Sequence, residues 1–409
     1  MSFQQALSGL NAASRGLEVI GNNIANANTT GAKASRVEFA DVYAASMNAA
    51  GSSSMPLGVE IGAVSQSFTQ GNITTTNNEL DLAINGNGFF QITKTDGTSA
   101  YTRSGEFKVD KDGFVVTNNG AKLMGYKTDV DGVRTSTTPS TVQLPNTGPI
   151  EPKQTGVLVA ELNLDACTPT ATATTPLSQT STSLMAYDSQ GVEVPVSLSF
   201  VKTATPNTWE VYTSSGSGAP TKQGGLVFNT DGTIKETLDS GGVGTGKTTM
   251  DLPMTGSSGA VGTWNASVDF GTSTQLGTAF AVAKLSQDGW APGELASVKI
   301  GNDGVISARY SNGKQQAVGQ VMLANFRNPQ GLTPLGAGAW AATSASGSSI
   351  LGAPGEGNLG ALQAGALEES NVDLTAELVN MMTSQRTYQA NAQTIKTLDQ
   401  ILSTLVNMR

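Results

Sequence analysis

The chain has 409 residues, too many for one ordinary core, and that length suggests two to four domains. Charged residues make up only 13% of it, where about 25% is typical of soluble domains, and the net charge is −9. There is no histidine and a single cysteine, Cys167. This excludes His-based triads, an internal disulfide and a Cys-based zinc site, and it disfavours the basic footprint that nucleic acid requires.

Gly, Ser, Thr, Asn and Ala take the place of the missing charges, which suits a β-rich exterior with many tight turns. No run of about 18 apolar residues is present, so no membrane insertion is expected. The start, MSFQQALSGLNAASRGLEVIG, lacks a basic n-region and an apolar h-region, so no cleaved signal peptide is expected. The chain is then either cytoplasmic or exported by another route.

In chain order, Phe3 to Ala27 is free of proline and reads as a helix. Phe3, Leu10, Leu17 and Ile24 recur every seven residues, Leu7 stands four after Phe3, and Ala6, Ala13 and Ile20 form an adjoining row. Burying each large stripe residue yields about 1.5–3 kcal/mol. Ordering each of roughly 25 backbone residues costs about 1–2 kcal/mol. Gly9, Gly16 and Gly21 weaken the helix further, by about 1 kcal/mol each. Alone, this helix is unstable and needs a partner. An intramolecular hairpin of the two terminal helices is one solution. The small residues Gly9, Ala12, Ala13 and Gly16 favour close packing among several copies as well.

Residues 31–70 read as a linker. From 71 to 145 the runs LAINGNGFFQI (82–92), SGEFKV (104–109) and GFVVT (113–117) read as strands, with turns at Asp112-Gly113 and Asp131-Gly132. DKDG (110–113) and DVDG (129–132) hint at calcium, but an EF-hand loop needs a third oxygen ligand where Phe114 and Val133 stand. Hairpin turns are the better reading.

Residues 146–284 read as an inserted outer β domain, barrel or sandwich-like, entered through Pro145, Pro149 and Pro152. It contains the strand-like runs VEVPVSLSFV (192–201) and WEVYT (209–213). GGVGTGKT (241–248) matches the phosphate-loop pattern through Gly241, Gly246, Lys247 and Thr248. Polar TIKETLDS precedes it where a buried strand is required, and Pro253 blocks the helix that should follow. A loop is expected there, and no nucleotide or other cofactor.

Residues 285–364 return to the β pattern of 71–145, the two forming one discontinuous β-rich domain. The last segment, Val372 to Arg409, contains neither Gly nor Pro. Leu374, Met381, Tyr388, Ile395 and Leu402 repeat every seven residues, and Leu378, Leu398 and Leu405 widen the stripe. Ser370 and Asp373 read as a capping box, with Glu368 and Glu369 near the positive end of the helix dipole. Segments 1–30 and 365–409 thus form a terminal helical domain, coiled-coil-like, and the fold class is multidomain α + β. No catalytic constellation appears, so no enzyme is expected.

LNAASRGLEVIGNNIANANTTGAKAS (10–35) resembles the N-terminal signature of the bacterial flagellar rod and hook axial proteins. GALEESNVDLTAELVNMMTSQRTYQANAQTIKTLDQIL (365–402) resembles their C-terminal signature. LDLAINGNGFF (80–90) and YTRSGEFKVDKDGFVV (101–116) resemble β segments these proteins share. YDSQGVEVPVSLSFVK (187–202) and LANFRNPQGLTPLGAGAWAATSASG (323–347) are similar to the hook branch of the family. Ala32 departs from the pattern, which usually has an aromatic after TTG.

The resemblance implies a subunit of the hook, a curved tube that acts as a universal joint between rod and filament. It implies that Phe3, Leu7, Leu10, Leu17, Ile20, Ile24 and the C-terminal stripe residues pack between subunits on the inner wall, and that the β domains face outward. The partners it implies are further copies of the chain, the distal rod protein, the hook cap protein, the hook-filament junction protein and the type III flagellar export apparatus. A distal rod protein is the nearest alternative. A secreted adhesive or carbohydrate-binding β protein is a reading from another class.

Overall fold

A computed structural model describes residues 3–43, 56–145, 148–171, 180–216, 218–256 and 262–407. The chain divides into two compact units. One comprises Met1–Thr147, Ser297–Arg309 and Gln315–Arg409; the other comprises Gly148–Ala296 and Tyr310–Lys314. The architecture is mostly β, with one long helix near each end.

The first unit opens with α1 (Phe3–Ala25). The chain then turns sharply at Gly31, whose φ is +69°. A Cβ there would stand 2.6 Å from the carbonyl carbon of Arg103, so conformation and space both require glycine. Half of the segment read as a linker is a two-stranded antiparallel sheet, β1 (Ser35–Tyr43) and β2 (Pro56–Gln66). Its register runs from Ser35 opposite Gln66 to Tyr43 opposite Pro56, with two bulges. Alternation in Arg36-Val37-Glu38-Phe39 carries the strand signal. An isolated hairpin is marginal in water. This one leans on α1: Asn23 bonds both backbone groups of Ser35, and Ser8 Oγ accepts from the Val59 amide at 3.3 Å.

The body of this unit is a thirteen-stranded sheet. Its main path runs through strands 295–300, 305–310, 315–321, 122–126, 89–93, 99–102, 339–341 and 333–336. The run LAINGNGFFQI is two strands, Leu82–Asn85 and Phe89–Thr93, because Gly86 and Gly88 at φ +115° and +129° break it. Leu82, Ile84, Phe90, Ile92, Phe107, Leu123, Val321 and Leu323 form its main core. Both DxDG segments are tight turns, with Gly113 donating to Asp110 O and Gly132 to Asp129 O. The chain returns in antiparallel order: 361–364 pairs with 82–85, and 366–368 with 73–75.

The second unit contains two five-stranded sheets. One is a meander of strands 181–187, 193–202, 208–215, 221–228 and 234–238. The other is built around strand 157–165, whose alternation points Leu158, Ala160, Leu162 and Leu164 inward. Both sheets feed one core, in which Trp209, Leu198, Leu226 and Phe270 are buried completely. The unit extends past residue 284 to Ala296, since strand 281–287 pairs along 157–165. The GGVGTGKT segment connects strand 234–238 to strand 249–255, and Pro253 sits in the latter, which ends the sheet order as an edge strand.

Trp209 is fully buried and its Nε1 donates to Gln275 Oε1 at 3.3 Å. Trp209→Ala should cost about 3–5 kcal/mol, read as an earlier urea-unfolding transition.

Candidate assembly surface

The chain's second helix, α2 (Leu374–Asn407), starts on a side-chain cap. Asp373 is its N-cap: Oδ1 accepts from the amides of Thr375 at 2.9 Å and Ala376 at 3.1 Å. The capping box expected between Ser370 and Asp373 is therefore corrected. Ser370 Oγ accepts from the Val372 amide instead, outside the helix.

The two helices pack antiparallel. Asn23 Nδ2 donates to Glu377 Oε1 at 3.1 Å, and a Cβ on Gly9 would meet Asn391 Nδ2 at 2.9 Å. Positions 23 and 377, and 9 and 391, each sum to 400, which sets the register. Phe3, at the start of α1, is then level with position 397. Residues 398–407 run on past α1 for about 15 Å, at 1.5 Å per residue.

Beneath the helices lies a buried polar cluster. Glu368 was expected near the positive end of a helix dipole. It belongs instead to strand Ala366–Glu368, inward-facing like Ala366, with a fully buried side chain. Lys33 Nζ meets Oε1 at 2.6 Å and Arg103 Nη1 meets Oε2 at 3.1 Å. The Gly71 amide donates to Oε1 at 2.9 Å. Lys33 also donates to Thr69 O, and Arg103 to Ile84 O and Gly86 O. Burial pulls the Lys33 ammonium below the usual lysine range, against the hydrogen bond and charge of Glu368. Burial lowers Arg103 too, and the charge of Glu368 opposes it.

Asn371 completes the junction. Its Oδ1 accepts from the Ala34 amide, and its Nδ2 donates to Ser67 O and Thr69 O. Asn23, Asn371 and Glu368 thus tie α1, the hairpin base and the approach to α2 together. Sequence reasoning missed Asn23 and Asn371 and gave Glu368 a different role. The available signal for Glu368 was its two-residue spacing from Ala366.

The stripe residues named from sequence divide by cover. Leu10, Leu17, Ile20, Ile24, Met381, Ile395 and Leu398 are half-buried. Leu7, Leu374, Leu378, Tyr388 and Leu402 are exposed, Leu402 by 56%. Phe3 and Leu405 lie within the helices, but their side chains fall outside the described residues. The buried residues of α1 are Ala6, Ala12, Ala13 and Asn23, the small row beside the large stripe. Further apolar exposure comes from Val379, Met382 and Ile401, which the seven-residue repeat did not pick out.

Four family profiles match. Residues 3–33 match one described as flagella basal body rod protein, and 363–408 one described as flagellar basal body rod FlgEFG protein C-terminal. Residues 83–160 match the flagellar hook protein FlgE/F/G D1 domain, and 160–290 the flagellar basal body protein FlaE D2 domain. These make the chain a flagellar axial protein, with its paired ends and its inserted unit both accounted for. The flagellar hook protein FlgE of Salmonella typhimurium is 42% identical over 424 residues, covering 100% of each chain. That of Escherichia coli K12 is 40% identical over 423 residues, again covering 100% of each. The crystal structure of Helicobacter pylori flagellar hook protein FlgE2 shares the fold, with a TM-score of 0.55 at 15% identity over 72% of this chain and 100% of that one. The chain belongs to the flagellar hook protein family.

Glu368→Ala leaves two buried cations without their shared carboxylate and should destabilise the first unit by about 3–5 kcal/mol. Thermal melting with amide exchange at residues 31–35 and 66–72 checks it.

Proposed function

We propose that this chain polymerises with copies of itself into the flagellar hook, a curved tube linking rod and filament. The observation that carries this is the bare apolar surface on helices already paired with each other. Val379, Met382, Ile401 and Leu402 are each more than half exposed. Val379 and Met382 adjoin near the start of α2, Ile401 and Leu402 near its end, and large apolar side chains left open together in this way mark sites of association. Full-length hook-protein relatives favour the hook over the distal rod or a secreted adhesive protein. The stripe residues from Leu7 to Ile24 and from Leu374 to Leu402 are the proposed contacts between copies.

In that tube the terminal helices line the inner wall and the β units face outward. The two five-stranded sheets sharing one core support a sandwich-like reading of the inserted domain. Thr, Ser and Gly are the commonest of its exposed residues, so contacts made through it are weak, wet and readily exchanged. Sliding there, against helices held by apolar packing, lets each row of subunits alternate between the inside and outside of a bend as torque passes. The other proposed partners are the distal rod protein, the cap, the hook-filament junction protein and the type III export apparatus, through which the chain travels unfolded.

Leu378 is 45% exposed, so Leu378→Asp should leave monomer stability within about 0.5 kcal/mol. It should nevertheless abolish tubes seen by electron microscopy; undisturbed tubes would count against the reading. A chain lacking residues 148–296 should still form tubes, with the fixed curvature lost.

A further inference from the structure

The half-buried positions on α2 are Glu377, Met381, Ser384, Asn391, Ala392, Thr394, Ile395 and Leu398, most of them three, four or seven residues apart. This is the seam that packs on α1. Leu402 continues it into residues 398–407, where α1 has ended, and there it is bare. Among the described residues, no part of α1 lies level with this end of the helix.

The chain also carries a vacant place on α1. A groove of about 530 Å³ runs along it from Gly9 to Ile20, about 17 Å of helix axis. Gly9, Ala12, Ala13 and Gly16 line it from α1; Gly9 already faces Asn391 of its own chain and the two alanines are buried, so it is at Gly16, where a Cβ meets nothing within 4 Å, that another backbone can approach closely. Val37, Phe39 and Val59 line it from the hairpin. From α2 come Asn380, Thr383, Ser384, Thr387 and Asn391, and the hydroxyls of Thr383 and Thr387 already donate to Val379 O and Thr383 O.

Glu377 lines one end of the groove, and its Oε2 is buried with no hydrogen-bond partner. The exposed Lys396 stands just before the bare helix end. Placing Lys396 beside Glu377 lays residues 398–407 along the groove, antiparallel to α1, in the sense α2 already adopts within its own chain. The 15 Å of helix end matches the 17 Å of groove.

Resting on the hook-subunit reading, we propose that residues 398–407 of one copy occupy the α1 groove of a neighbouring copy, repeating between chains the α1–α2 packing made within each. The contact joins every subunit to the next through one helix end and one groove. Its two halves lie on different parts of the molecule, so a copy engaged through its groove still has its helix end free to engage the next.

Two experiments test it with the full chain. In a Cys167→Ser background, Phe39→Cys and Leu402→Cys place thiols at two exposed positions, one on each half. A short bismaleimide should link them between chains in tubes, producing a ladder on denaturing gels, and should leave a Val130→Cys/Leu402→Cys control unlinked. Tubes that form without that ladder would overturn the proposal while leaving the hook reading intact; no tubes from the unsubstituted chain would sink that reading as well. Secondly, a Cβ on Gly16 or Gly21 meets nothing within 4 Å, but only Gly16 lines the groove. Gly16→Leu should raise the critical concentration for assembly at least tenfold, with helix content by circular dichroism unchanged, and Gly21→Leu should not. Equal behaviour of the two variants would count against the groove.

Discussion

The antiparallel pairing of α1 with α2 organises the first unit. Once position 9 lies opposite 391 and 23 opposite 377, every segment leaving the N-terminal helix must be met by one returning to the C-terminal helix. Strand 73–75 is met by 366–368, and 82–85 by 361–364. These are nested closures over nearly the whole chain. Loop entropy grows only with the logarithm of length, so the inserted unit adds little to their cost. Such non-local pairing is nonetheless slow to find. A chain of this kind remains open until both ends are available together.

The buried cluster around Glu368 sits where those closures converge. A carboxylate between a lysine and an arginine, all shielded from water, adds little net stability over an apolar core of the same shape. It is unforgiving, however: each partner, once buried, penalises any arrangement lacking the others. Lys33 comes from the segment after α1, Arg103 from the sheet and Glu368 from the approach to α2. The three meet only when the first unit is correctly assembled. Asn23 and Asn371 act similarly with uncharged groups, each bonding backbone that would otherwise be orphaned.

The two units solve burial differently. The second closes its own core: Trp209, Leu198, Leu226 and Phe270 are sealed between two sheets of the same chain. In the first, α1 buries Ala6, Ala12, Ala13 and Asn23, and both helices leave leucines half-covered or bare. Small residues allow close approach but remove little apolar area from water. Each helix is thus held in position by its partner without being satisfied by it, the condition under which further copies stabilise rather than compete.

Much of this was legible in the sequence. The seven-residue repeats of Leu10, Leu17 and Ile24, and of Met381, Tyr388 and Ile395, declared two helices, because a helical face needs only local spacing to be recognised. The Asp-Gly turns and the alternation of strand 157–165 were equally local. The tertiary structure decided what depends on distant partners. It decided that Glu368 is a buried counter-ion rather than a dipole neighbour, and that Asp373 rather than Ser370 caps α2. It also decided that the presumed linker is a hairpin braced on α1, and that α2 outruns α1. Spacing along a chain specifies which face of an element is apolar. Only the three-dimensional register specifies how much of that face the chain's own atoms cover.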